Sequence, residues 1–189
     1  MVKFNFKNYF KEARFLLEEN KDNFKKLELI SNLFLKCQKK NNKVIIIGNG
    51  GSASTASHVS VDLSKNSGIR AINFNEPDLI TCFSNDYGYE NYVREAIRIY
   101  GDVGDIVVFI SCSGESKNLI NAIKFCNKKN YKCVTLTGRK KNNTLMKLNK
   151  SGVNLWVNSH SYNIIETVHM LWLLSIVDKI IGTSIYEPK

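Results

Sequence analysis

The chain has 189 residues, 43% of them hydrophobic, enough for one buried core, and its two prolines and eleven glycines leave no room for a long linker. Its net charge is +10, but the denser basic groups, Lys39/Lys40, Lys128/Lys129 and Arg139/Lys140/Lys141, fall at element ends and in loops, which disfavours a nucleic-acid surface and suits steering of a phosphorylated metabolite. The longest apolar stretch, MLWLLSIV at 170–177, is far below the roughly 20 residues of a membrane span; the lysine-interrupted start excludes a signal peptide, and five cysteines without C-x-x-C spacing read as reduced thiols of a cytoplasmic protein.

Residues 6–40 carry two helical patterns broken near ENKDN at 19–23, and the second sets Phe24, Leu27, Ile30, Phe34 and Cys37 three or four apart. These precede the first strand, so residues 1–40 are expected as an N-terminal helical arm and 41–185 as one structural unit. Large apolar residues in the arm point to packing on another subunit. Short β-rich runs then recur: KVIIIG at 43–48, IRAINF at 69–74, DIVVFIS at 105–111, KCVTLTG at 132–138 and VNLWVN at 153–158. Helical patterns separate them. That alternation predicts an α/β three-layer sandwich, a five-stranded parallel sheet with helices on both faces. The helix between the third and fourth runs, near 116–130, stripes Leu119, Ile120, Ile123 and Phe125 or Cys126 on one face, capped by Ser116 and an Asn. The last helix, about 163–182, is apolar nearly all round, which implies burial between layers or protomers.

Ligands of an open parallel sheet bind outside the carboxyl ends of its strands. Two such ends here suit an anion. In GNGGSA at 48–53 the glycines permit positive φ and close approach of the backbone, the next helix offers free amides, and Asn49 and Ser52 add side-chain donors. In SCSGES at 111–116, Ser111, Ser113 and Ser116 place three hydroxyls on a loop turned by Gly114. Neither loop matches a P-loop or the dinucleotide fingerprint, so no nucleotide cofactor is expected.

The segments VIIIGNGGSASTASHVSVDL, SNDYGYENYVREAIRIYGDVGDIVVFISCSGESKN and IIETVHM together resemble the sugar isomerase (SIS) domain family, and within it the phosphoheptose isomerases, which interconvert sedoheptulose 7-phosphate and a heptose 7-phosphate. The resemblance covers roughly 20–180. It implies a flavodoxin-like sheet, a homotetramer with active sites shared between protomers, and a role in making heptose for surface glycans. By motif it assigns substrate contacts to Asn49, Gly50, Gly51 and Ser52, to Asn85 and Asp86, and to the phosphate loop Ser111, Cys112, Ser113 and Ser116. The family's Thr is Cys112 here, and its Asn is Glu115.

The family's catalytic and zinc-binding set is a His and a Glu on the helix after Gly-Gly-Ser, and a Gln and a second His on the last helix. This chain has His58 and Asp62 in the first pair, Glu166 in place of Gln and Leu174 in place of the second His. The expectation is therefore that Asp62 and Glu166 are catalytic and that His58, Asp62 and Glu166 converge as a three-ligand zinc site. The alternative implied by the lost histidine is a non-catalytic SIS binding platform, like the SIS-fold protein that binds the bacterial replication initiator.

Overall fold

The computed structural model describes residues 4–18 and 20–185. Five strands, β1 (Val44–Gly48), β2 (Ala71–Ile72), β3 (Ile106–Ser111), β4 (Lys132–Thr137) and β5 (Val153–Trp156), form one parallel sheet in the order β2-β1-β3-β4-β5. Eight helices surround it among the described residues: α1 (Phe6–Leu17), α2 (Lys21–Lys39), α3 (Gly51–Ser67), α4 (Pro77–Tyr87), α5 (Tyr92–Tyr100), α6 (Lys117–Lys128), α7 (Thr144–Leu148) and α8 (Tyr162–Ile181). The expected α/β sandwich with a flavodoxin-like strand order is observed.

The period of two along each strand divides the core. Val44, Ile46, Val108, Ile110, Val134 and Leu136 face a layer of Phe34, Val59, Leu63, Val168 and Leu173 from α2, α3 and α8. Their neighbours Ile45, Ile47, Val107 and Phe109 face Val93, Ile97, Leu119 and Ile123 from α5 and α6. Both faces being covered, the central strands have no polar alternation to show, which is why they read as continuous apolar runs.

Two features depart from the sequence expectation, the second strand and the N-terminal arm. The second strand shrinks from 69–74 to Ala71–Ile72, because Asn73 Nδ2 donates to Ser60 Oγ and its side-chain Oδ1 accepts from the Asn75 amide, turning the chain off the sheet edge. Helices α4, α5 and α7 occupy segments between strands, where helical patterns are expected. The arm also divides: α2 buries Ile30, Phe34 and Cys37 in the same layer as α3 and α8, whereas α1 buries no residue.

The register that aligns the ligand ends is fixed at the opposite end of the sheet. Asp105, fully buried, accepts from the Lys43 and Asp102 amides at 2.9 and 2.8 Å and pairs with Lys43 Nζ at 2.7 Å. β1 and β3 therefore start level, pair Val44↔Ile106 through Gly48↔Ile110, and deliver their following loops side by side.

Candidate active site

In the order β2-β1-β3-β4-β5 the chain reverses its direction of winding between β1 and β3, and the crevice at their carboxyl ends is where such sheets take ligands. Residues 49–50 link β1 to α3 there, and residues 112–116 link β3 to α6. Gly50 turns the first loop at φ 57°, with no atom within 4 Å of where a Cβ would sit, so glycine is required by the backbone angle alone. Helix α3 starts at once and has no side-chain cap; the Ser52, Ala53 and Ser54 amides turn back to the Asn49 and Gly50 carbonyls, and the Gly51 amide is left for a ligand.

Two asparagines join the loops. Asn118 Nδ2 donates to Asn49 Oδ1 at 2.9 Å, Asn49 Nδ2 donates back to Asn118 Oδ1 at 3.1 Å, and the same Asn118 oxygen accepts from the Leu119 amide at 3.0 Å. Asn118 is buried in the first turn of α6, so the clasp is rigid. The Tyr89 hydroxyl, from the turn between α4 and α5, also donates to Asn49 Oδ1 at 3.2 Å. Sequence reasoning missed Asn118 and Tyr89. Only the position of Asn118, two residues past the serine loop, hinted at the first.

The serine loop is built as expected. Ser111 Oγ accepts from the Gly114 amide at 3.1 Å and lies 3.4 Å from Ser116 Oγ, and Ser113 Oγ accepts from the Glu115 amide at 3.2 Å. Ser116 occupies the N-cap of α6 but makes no capping bond, so the cap role read from sequence is not used and its hydroxyl faces its loop neighbour instead. Three hydroxyls and the open amides of α6 thus share one concavity.

Glu166 reaches this crevice from α8. A Cβ at Gly51 would land on its carboxylate, so the side chain lies across the first residue of α3 where a negative charge is favoured. Cys112 Sγ approaches Glu166 Oε1 at 3.8 Å. Burial, followed by that carboxylate, pushes the thiol up to about 11, so Cys112 stays neutral and donates. Asn85 and Asp86 sit exposed at the end of α4, with Asn85 Nδ2 donating to Asp86 Oδ1 at 3.0 Å, on the rim carried by the Tyr89 turn.

The expected metal trio does not assemble within one chain. His58 Nε2 lies 3.5 Å from Asp62 Oδ2, but Asp62 is eleven residues beyond Gly51 on α3, about 16 Å along the axis at 1.5 Å per residue, whereas Glu166 is held at Gly51. Among the described residues no group of three His, Cys, Asp or Glu side chains is placed to hold a metal ion. The donors do not fit zinc in the single chain. His58 and Asp62 share one face of α3 as the i, i+4 spacing required, but that spacing carries no information on where α8 would place Glu166.

His169, the histidine of α8, is structural. Its ring is fully buried, Nε2–H donates to the Thr137 carbonyl at 3.1 Å, and burial lowers its pKa to about 4. The crevice itself is open: a cavity of about 500 Å³ between the α1–α2 corner and β5, and another of about 670 Å³ beneath β4 and β5, are both lined by other segments.

A SIS domain family model matches residues 8–138. The chain belongs to the SIS-domain family. This SIS chain is 34% identical to the phosphoheptose isomerase of Sulfurimonas denitrificans over 139 residues, 68% of its own length and 69% of the relative's. It is 33% identical to phosphoheptose isomerase 2 of Campylobacter jejuni over 141 residues, 70% of each chain. The solved structure of a phosphoheptose isomerase from Neisseria gonorrhoeae superposes with a TM-score of 0.84 over 92% of this chain and 96% of that one, at 27% identity.

Proposed function

We propose that this SIS chain is a phosphoheptose isomerase, converting sedoheptulose 7-phosphate to the aldose heptose 7-phosphate for surface-glycan synthesis. The observation that carries it is the joining of the Gly-Gly and serine loops by Asn49 and Asn118 at the switch point, with a carboxylate, Glu166, held against the same crevice. Relatives named phosphoheptose isomerase support the substrate class.

In this reading the phosphate rests on Ser111, Ser113 and Ser116 and the α6 amides. Asn49, Gly50, Gly51 and Ser52 hold the ketose end, and Asn85 and Asp86 hold the intervening hydroxyls. Isomerisation requires a base that removes a proton from C1 and returns it to C2 through an enediol, while the hydroxyl proton passes from O1 to O2. Glu166 is the carboxylate near enough to do this. The Gly51 amide at the start of α3 polarises the C2 carbonyl as its oxygen gains charge, and the Cys112 thiol steadies the base. His58 and Asp62 complete a site only through a neighbouring protomer. A homotetramer is therefore part of the proposal, supported by the exposed phenylalanines of α1. Cytoplasmic location is supported by the five free thiols.

NMR detection of aldose formation from sedoheptulose 7-phosphate tests the activity. Glu166→Gln is expected to abolish turnover while leaving binding intact. If it raises turnover instead, Glu166 is not the base and the role passes to Asp62, for which Asp62→Asn is the matching variant. Binding without turnover in the wild type would establish the platform alternative, which the unassembled trio and Leu174 favour.

A further inference from the structure

Glu115 is the one charged residue within the serine loop, two residues from Ser113 and next to Ser116. An unrestrained carboxylate there would oppose a bound phosphate. Its side chain is instead turned out of the loop: Oε1 accepts from the Thr144 amide at 3.0 Å and Oε2 from the Thr144 hydroxyl at 2.6 Å. No Lys or Arg makes an ion pair with Glu115 among the described residues, so the restraint consists of hydrogen bonds from neutral donors.

The partner surface is itself rigid. The Leu145 amide donates to the Gly114 carbonyl at 3.0 Å, so the loop and the start of α7 are tied at adjacent residues. Buried Asn143 caps α7 through the Met146 amide at 3.1 Å and packs where a Cβ of Gly114 would lie. Glu115 also donates its own amide to Ser113 Oγ, which leaves the Ser113 proton for a ligand. Thr144 thus holds the Glu115 carboxylate on the start of α7.

We propose that Thr144 is a positioning residue for phosphate recognition, acting through Glu115: by holding that carboxylate on the first residue of α7 it keeps a negative charge out of the anion-binding loop. This rests on the assignment of the substrate phosphate to residues 111–116. It explains how the chain accommodates a carboxylate where its family carries a neutral amide. Released, the glutamate would reach the loop by side-chain rotation alone and raise the cost of a doubly charged ligand through short-range repulsion.

Calorimetric titration with sedoheptulose 7-phosphate, at low and high salt, tests it. Thr144→Val keeps the amide and the side-chain volume but removes the hydroxyl, and is expected to weaken binding at least about tenfold at low salt, with a smaller loss at high salt. Adding Glu115→Gln to that chain should restore affinity to within about twofold of wild type. Glu115→Asp, which keeps the charge but withdraws it from Thr144 by one methylene, should reproduce the loss and serves if Thr144→Val does not fold. A Thr144→Val loss that persists with Glu115→Gln, or that ignores salt, would make Thr144 merely structural and overturn the proposal. Ser113→Ala with Ser116→Ala separates the two levels: if this pair leaves wild-type affinity unchanged, the phosphate assignment fails first and takes the role of Thr144 with it.

Discussion

His169 illustrates how burial decides the role of a titratable side chain. An imidazole in water titrates near 6.5, and in the fold this ring is lowered to about 4 because no solvent reaches it and only one nitrogen has a partner. The depressed value means that the unfolded chain takes up the proton first. Stability from the neutral ring is complete above pH 6.5 and is lost as pH falls through 4, by at most about 3 kcal/mol. His169→Gln retains a donor for the Thr137 carbonyl and should flatten this acid limb in denaturant melts between pH 7 and 4. An unchanged limb would assign the acid sensitivity to carboxylates. Glu166, by contrast, is half-buried against the first residue of α3, in contact with the Cys112 thiol.

At the scale of elements, the crevice depends on two loops that leave neighbouring strands level with one another. The Asp105–Lys43 contacts set that level from below, and the Asn49–Asn118 clasp closes it from above. The Asn118 side chain is buried and holds Asn49, so its deletion should act on geometry. Asn118→Ala leaves Asn49 with one fewer donor and one fewer acceptor, at a cost of about 1–3 kcal/mol in stability. Substrate affinity should fall with it, because the Asn49 amide is then free to turn. Thermal melts and titration of the same variant check both halves. Loss of stability with unaltered affinity would show that Tyr89 alone orients Asn49.

For the whole molecule, the distribution of apolar surface is uneven. Phe6, Phe10 and Phe15 on α1 are 72%, 65% and 71% exposed, while the sheet layers are sealed. A helix with no buried residue of its own holds its place weakly in an isolated chain, since tertiary packing supplies most helical stability. If the chain forms the proposed tetramer through α1, replacing Phe6 and Phe10 with Ser should lower the assembly in analytical ultracentrifugation, with little change in the folded core. Turnover should fall in parallel if a neighbouring protomer completes the site. A tetramer that persists in the variant would move the interface to another face.

The sheet, its five strands and the serine loop were legible in the sequence because each is a local pattern: runs such as VIIIG and IVVFIS are apolar at every position, and turn residues follow them directly. The pairing of His58 with Asp62 was legible too, as helical spacing alone brings them onto one face. What lay beyond local pattern is everything that joins distant segments. The 69-residue separation of Asn49 and Asn118 leaves no periodic trace, nor does the reach of Glu115 to Thr144 across 29 residues. The approach of Glu166 to Gly51 rather than to Asp62 was decided by how α8 lies against α3, through the packing of two apolar helix faces whose axial offset no single stretch of sequence encodes.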